Sequence, residues 1–155
     1  MSGERSVDSS WPVSGWREQA ASVSLRWGLV AHIGDFMHIT AQDVVAFWHE
    51  AGYERWFARD EAFDARCKAG FLEAHFHAAR RELVHWLDTA DGALALMVLL
   101  DQIPRNVFRD SGHAYATDPL ALHYADRAVA LGHDRRVDAA TRVFFYMPFE
   151  HSESL

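Results

Sequence analysis

Eight consecutive residues, Ala93-Leu94-Ala95-Leu96-Met97-Val98-Leu99-Leu100, carry no polar side chain. Any fold this chain adopts has to enclose them. Their Ala, Leu and Met content favours helix over a buried strand, because these residues lose least on entering a helix. A helix without a polar side has nothing to show to water, so this one is the predicted centre of the molecule. A bilayer is no alternative: a span needs about 20 apolar residues, and no run here exceeds this one.

The flanking sequence reads as further helices. Thr40 precedes Ala41-Gln42-Asp43 and predicts an N-cap with acid in the first turn, the apolar face running through Val44, Val45, Phe47 and Trp48 and the end falling near Gly52. Asp60 predicts the next cap. After it, Phe63, Cys67, Phe71, Ala74 and Ala78 recur at three- and four-residue steps, the period of one helix face. A short helical turn is expected over Glu82 to Leu87, and Thr89 or Asp91 opens the central helix. Thr117-Asp118-Pro119 predicts a start with Asp at the cap and Pro first inside, and Gly132 marks the stop. A last helix is expected from about Arg136 to Met147, with Ala140, Val143, Phe144 and Met147 facing in and Pro148 ending it. No segment has the alternation and turn chemistry of a strand pair. The expected class is all-α, built of stacked antiparallel helical hairpins. Residues 1–40, interrupted by Pro12, Gly15, Gly28 and Gly34, are expected to be an N-terminal extension, partly ordered at best, ahead of a helical domain over 41–155.

A chain of 155 residues suits one domain. Fifteen basic residues against 22 acidic ones leave a net charge of −7, which repels a phosphate backbone, so neither nucleic acid nor membrane is an expected partner. Cys67 is the sole cysteine. It excludes an intrachain disulfide and a Cys-based zinc site, reads as an inert buried thiol, and fits a cytoplasmic protein. The N-terminus has no apolar core after a basic start, the pattern of a secretory signal. Ten histidines invite a metal, but no His-x-x-x-His pair occurs, and His75 and His77 fall on different sides of a helix. Gly-rich phosphate loops and dinucleotide fingerprints are also missing. No metal and no cofactor are expected.

The chemistry concentrates in two stretches. The first follows the apolar run: Asp101-Gln102-Ile103-Pro104-Arg105-Asn106-Val107-Phe108-Arg109. Pro104 cannot donate to the Leu100 carbonyl, so it kinks or ends the helix. If the helix continues, Asp101, Arg105 and Arg109 share one line and Gln102 and Asn106 the next. Such a face suits a small anionic ligand, because guanidinium is a planar fork for carboxylate or phosphate oxygens. It equally suits an internal Asp101–Arg105 ion pair, with the two amides tying backbone. The second stretch is Tyr146-Met147-Pro148-Phe149-Glu150-His151-Ser152-Glu153. A histidine between carboxylates suits acid–base chemistry, and the same residues suit a helix cap. The candidate set is therefore His151 as acid or base, with Asp101, Gln102, Arg105, Asn106, Arg109, Arg142, Glu150 and Glu153 around a ligand.

Taken in order, Asp43-Val44-Val45-Ala46-Phe47-Trp48, Trp56-Phe57, Phe63-Asp64, Leu99 through Arg109, Asp118-Pro119-Leu120-Ala121-Leu122 and Phe145 through Glu153 resemble the bacterial domain-of-unknown-function family numbered 924. The resemblance covers roughly residues 42–155. It implies a tetratricopeptide-repeat-like helical fold and carries no settled activity. Members typically continue with further helix past the point corresponding to Glu153. The resemblance therefore implies a truncated domain, a partner, or the extension in that helix's place.

Two readings follow. One is a binding or scaffold domain that takes a small anionic ligand or peptide through Arg105, Arg109 and Arg142. The other is a small hydrolase-like enzyme with His151 as base. Whether the protein is an enzyme at all, and its oligomeric state, stay open at this level. Geometry discriminates: a His151–carboxylate bond in a cleft beside Arg105 favours the enzyme, and arginines consumed by internal acceptors favour the scaffold.

Overall fold

The apolar run becomes helix α3 (Ala90–Met97), and every residue from Gly92 to Met97 is buried. The computed structural model describes residues 39–152. The expected N-terminal extension, apart from the two residues before the first helix, and Glu153 lie outside that range. Among the described residues the secondary structure is entirely helical. No helix there is long and apolar enough to cross a membrane.

Helix α1 (Ala41–Trp56) opens on Thr40 with a reciprocal capping box: Asp43 N–H donates to the Thr40 hydroxyl, and Thr40 N–H donates back to the Asp43 carboxylate. Regular helix ends at Gly52, whose φ of 71° and ψ of 171° belong to a region that only glycine enters cheaply. One further turn carries Trp56 back onto Trp48, where its indole N–H donates to the Trp48 carbonyl at 2.7 Å. Helix α2 (Glu61–Ala79) is capped by Asp60, which accepts from Ala62 and Phe63 N–H. Its predicted stripe Phe63, Cys67, Phe71, Ala74 and Ala78 is buried. The rings of Phe47 and Trp48 on α1 meet Phe63 and Phe71 on α2.

A tight turn over Val84–Asp88 leads to Thr89, which caps α3 through Gly92 N–H. Gly92 is required there: a Cβ would come within 2.2 Å of the Trp86 carbonyl oxygen. Helix α3 packs on α1, on α5 (Asp118–Ala130) and on three short turns, at residues 84–88, 133–136 and 141–145. Enclosure on all sides is what its sequence demands, since each fully buried Leu, Val or Met side chain is worth about 1.5–3 kcal/mol.

After Met97 the helix widens into a π turn over Val98–Gln102 and continues as α4 (Ile103–Val107), which packs on α2. Pro104 sits in the first turn of α4, so the helix runs on past Leu100, whose carbonyl is left without a backbone donor from Pro104.

Two expectations at the C-terminal side are corrected. Thr117, not Asp118, is the residue before α5, and Asp118 and Pro119 lie inside its first turn. The single helix expected over 136–147 does not form. Asp138 accepts from Ala140 and Thr141 N–H and starts a tight turn at Thr141–Phe145. Pro148 then lies in the first turn of a new short helix, α6 (Met147–His151), instead of ending an old one. A proline needs no N–H partner at that position, so it starts a helix as readily as it stops one. Phe144 is buried as expected, but Ala140 and Val143 face outward.

Candidate functional site

Local backbone geometry at the end of α3 sets up the site. In the π turn, Ile103 N–H reaches back five residues to Val98, passing over the Leu99 carbonyl that an α-helix would have used. Pro104 has no N–H for the Leu100 carbonyl. Both acceptors are fully buried and each costs about 1–3 kcal/mol if left unpaired. Side chains fill them. His75 on α2 donates from Nδ1 to the Leu99 carbonyl at 2.9 Å. The Thr117 hydroxyl, one residue before α5, donates to the Leu100 carbonyl. The next carbonyl, Asp101, accepts from Arg105 Nη1. Three successive carbonyls thus hold α2, α5 and α4 to one point.

Asp101 itself is fully buried, and its carboxylate serves three donors. His151 Nδ1 lies 2.8 Å from Oδ1, Arg105 Nη1 lies 3.2 Å from the same oxygen, and Gln102 Nε2 donates to Oδ2. Because a carboxylate accepts, Nδ1 of His151 is the donor in this bond, and Nε2 takes no part in it. His151 belongs to α6, fifty residues away, and is about a quarter exposed. Arg105 also makes a two-pronged pair with Asp118 at 3.0 and 2.9 Å, and its guanidinium lies 5.4 Å from the ring centroid of Tyr115.

Arg109 does not continue the Asp101–Arg105 line. Helix α4 ends at Val107, and Arg109 turns to α2, where Nε and Nη2 donate to the two oxygens of Asp64. Nη2 also reaches the Asn106 side-chain oxygen at 3.0 Å and the Ala58 carbonyl at 3.4 Å. Asp64 pushes the Arg109 pKa upward, so that guanidinium stays charged. Asn106 donates to the Gln102 carbonyl.

The structure therefore brings Asp101, Gln102, Arg105 and His151 into one hydrogen-bonded cluster, with Asn106 and Arg109 in a second one beside it. Glu150 is exposed and outside both. Arg142 is elsewhere, on the turn near Tyr146. Sequence reasoning missed Asp64, His75, Thr117 and Tyr115 as partners and saw Asp118 only as a helix start. No local pattern links residues 10 to 45 apart, so none could have flagged them. Cys67 is buried, and burial, aided by Asp64, pushes its thiol up to about 12, so it stays a neutral thiol. Among the described residues no three His, Cys, Asp or Glu side chains group for a metal. A surface groove of about 560 Å³ is lined by other residues, chiefly Tyr53, Trp56, Phe57 and Val143.

A family model described as a bacterial protein of unknown function (DUF924) matches residues 44–155. The solved structure of a protein of unknown function from Agrobacterium tumefaciens is similar, with 55% identity and a TM-score of 0.73. The match covers 74% of this chain and 65% of that one, so the chain spans just under two thirds of that relative. Comparison with curated proteins gives no match. With the ordered motifs from Val44 onward inside the matched region, the chain belongs to the bacterial family DUF924.

Proposed function

We propose that residues 41–155 form a cytoplasmic binding or scaffold domain for a small anionic ligand or peptide, in which the Asp101–Arg105–His151 cluster is a structural lock. One observation supports this most: Arg105 and Arg109 are consumed by internal acceptors. Arg105 holds Asp101 and Asp118, and Arg109 holds Asp64, Asn106 and Ala58. An incoming anion would have to displace carboxylates already seated in two-pronged geometry. Recognition then falls to surfaces outside the lock. Thermal melts combined with a ligand screen test it. Arg105→Ala should cost about 3 kcal/mol, because it strands a buried carboxylate. Ligand-induced shifts found for the parent should survive in Arg105→Lys, which keeps the charge. An Arg105→Ala variant that melts like the parent but loses a ligand would overturn the structural reading.

A small hydrolase-like enzyme is the second reading, favoured by the 2.8 Å His151–Asp101 bond. A buried carboxylate that fixes an imidazole by Nδ1 leaves Nε2 to take and return a proton, which is half of a catalytic triad's logic. The described residues bring no hydroxyl or thiol nucleophile within hydrogen-bond distance of that nitrogen. Turnover of model esters or phosphoesters that vanishes in His151→Gln, with the melt intact, would establish this reading over the first.

A further inference from the structure

The surface groove of about 560 Å³ is lined by none of the lock residues. Its size is that of a small-molecule pocket, about 300–1,000 Å³. One wall comes from the end of α1, with Gly52, Tyr53, Trp56 and Phe57, and the other from Ala139, Ala140 and Val143. Gly52 builds the first wall: its φ of 71° breaks the regular helix, and the turn after it carries three aromatic rings to the groove. Tyr53 is 74% exposed and Phe57 50%. Rings left at the surface forgo the burial that makes aromatic side chains stabilising elsewhere in the core.

The three rings stand steeply to one another. Trp56 and Phe57 are at 89° with centroids 6.5 Å apart, Tyr53 and Trp56 at 66° and 6.4 Å, and Tyr53 and Phe57 at 63° and 5.2 Å. Three planes at such angles have no common line, so a ligand in the groove meets more than ring edges. The face of a ring is its negative side and attracts a cation within about 6 Å of the centroid. The protein uses that attraction twice: the Arg66 guanidinium lies 5.1 Å from the Phe47 centroid, and that of Arg105 5.4 Å from Tyr115. Among the described residues no side-chain cation lies over Tyr53, Trp56 or Phe57. The groove lining contains no Lys or Arg. His49, which also lines it, is 3.2 Å from the half-exposed carboxylate of Asp138. The N–H groups of Ala140 and Thr141 and the Thr141 hydroxyl, all neutral donors, hold that carboxylate and leave its negative charge in place.

We propose that this groove binds a small alkylammonium ligand, its charged head against Tyr53, Trp56 and Phe57 and its carbon body along Ala139, Ala140 and Val143. The site goes beyond the binding reading above: it lies in a separate place, takes the opposite charge and does not depend on the lock. Charge selects the ligand. Ring faces and the Asp138 carboxylate repel an anion, and a neutral molecule of the same shape gains burial alone. A methylated ammonium suits the groove better than a bare one, because an apolar wall offers little to replace the water that a bare ammonium must shed.

Titration of the full chain with choline, benzyltrimethylammonium and the uncharged tert-butyl isostere of choline, followed by NMR shifts, tests the site. Choline should bind about 10-fold more tightly than its isostere, the scale of a cation on an aromatic face. Tyr53→Ala, at an exposed side chain, should melt like the parent and lose about 10-fold in affinity for either cation, while Tyr53→Phe keeps the ring and should bind like the parent. Asp138→Asn should weaken choline and leave the isostere unchanged. Should Asp138→Asn melt early, Phe57→Leu, which keeps an apolar side chain without a ring face, takes its place and should weaken choline in the same selective way. Equal binding of choline and its isostere, choline binding unchanged in Tyr53→Ala, or no shifts with either cation would each overturn the site. The lock reading is decided separately, by the Arg105 melts.

Discussion

His75 shows how one residue type serves two ends. The sequence places it one step off an apolar stripe, beside the exposed His77. The fold buries it and uses its Nδ1–H to close the carbonyl that the π turn leaves open. Burial lowers its pKa from the ordinary 6.5, with the Leu99 carbonyl opposing. The folded imidazole therefore stays neutral where the unfolded one gains a proton. Stability is retained above about pH 6.5 and is lost as pH falls from there toward the depressed folded value. Urea unfolding at pH 7.5 and 5.5 should show this loss in the parent and a smaller one in His75→Gln, whose amide still donates but does not titrate. An equal pH dependence in both proteins would remove His75 as the cause. Cys67 was legible at this scale, because its position on the Phe63–Ala78 stripe is a property of helix period alone. His75 was not, because its acceptor lies 24 residues away.

Elements show where local signals mislead. Proline reads as a stop, yet Pro104 and Pro148 each stand in the first turn of a helix. The sequence cannot tell the two uses apart, since the deciding fact is whether another group caps the carbonyl that proline leaves unpaired. For Pro104 that group is Thr117, which gives a double-mutant test. Thr117→Val should cost about 1–3 kcal/mol by orphaning the Leu100 carbonyl. Adding Pro104→Ala restores a backbone N–H four residues on and should recover part of that loss. Additive losses in chemical denaturation would show that the two groups do not share the acceptor. Caps made within three residues were readable, as at Thr40, Asp60 and Thr89. The turn at Asp138 was not, because an apolar helical period ran straight through it.

At the scale of the whole molecule, α3 is the hub, meeting α1, α5 and three turns. Amides of Leu94 to Met97 should exchange with deuterium most slowly, at a rate set by global unfolding, while the turn after Gly52 exchanges earlier. Fast exchange in α3 would mean that its surroundings open independently. The central helix, the capped helices around it, the inert thiol and the two chemically dense stretches follow from residue order alone, because period, propensity and capping act over three or four residues. Which side chains meet does not. Asp101 has a neighbouring donor in Gln102, but His151 reaches it across fifty residues, Arg105 is shared with Asp118, Arg109 crosses to Asp64, and Tyr146 reaches back to Asp134. Those pairings arise only once burial of the apolar run brings distant segments together, and the need to satisfy buried carbonyls and carboxylates then selects partners by proximity.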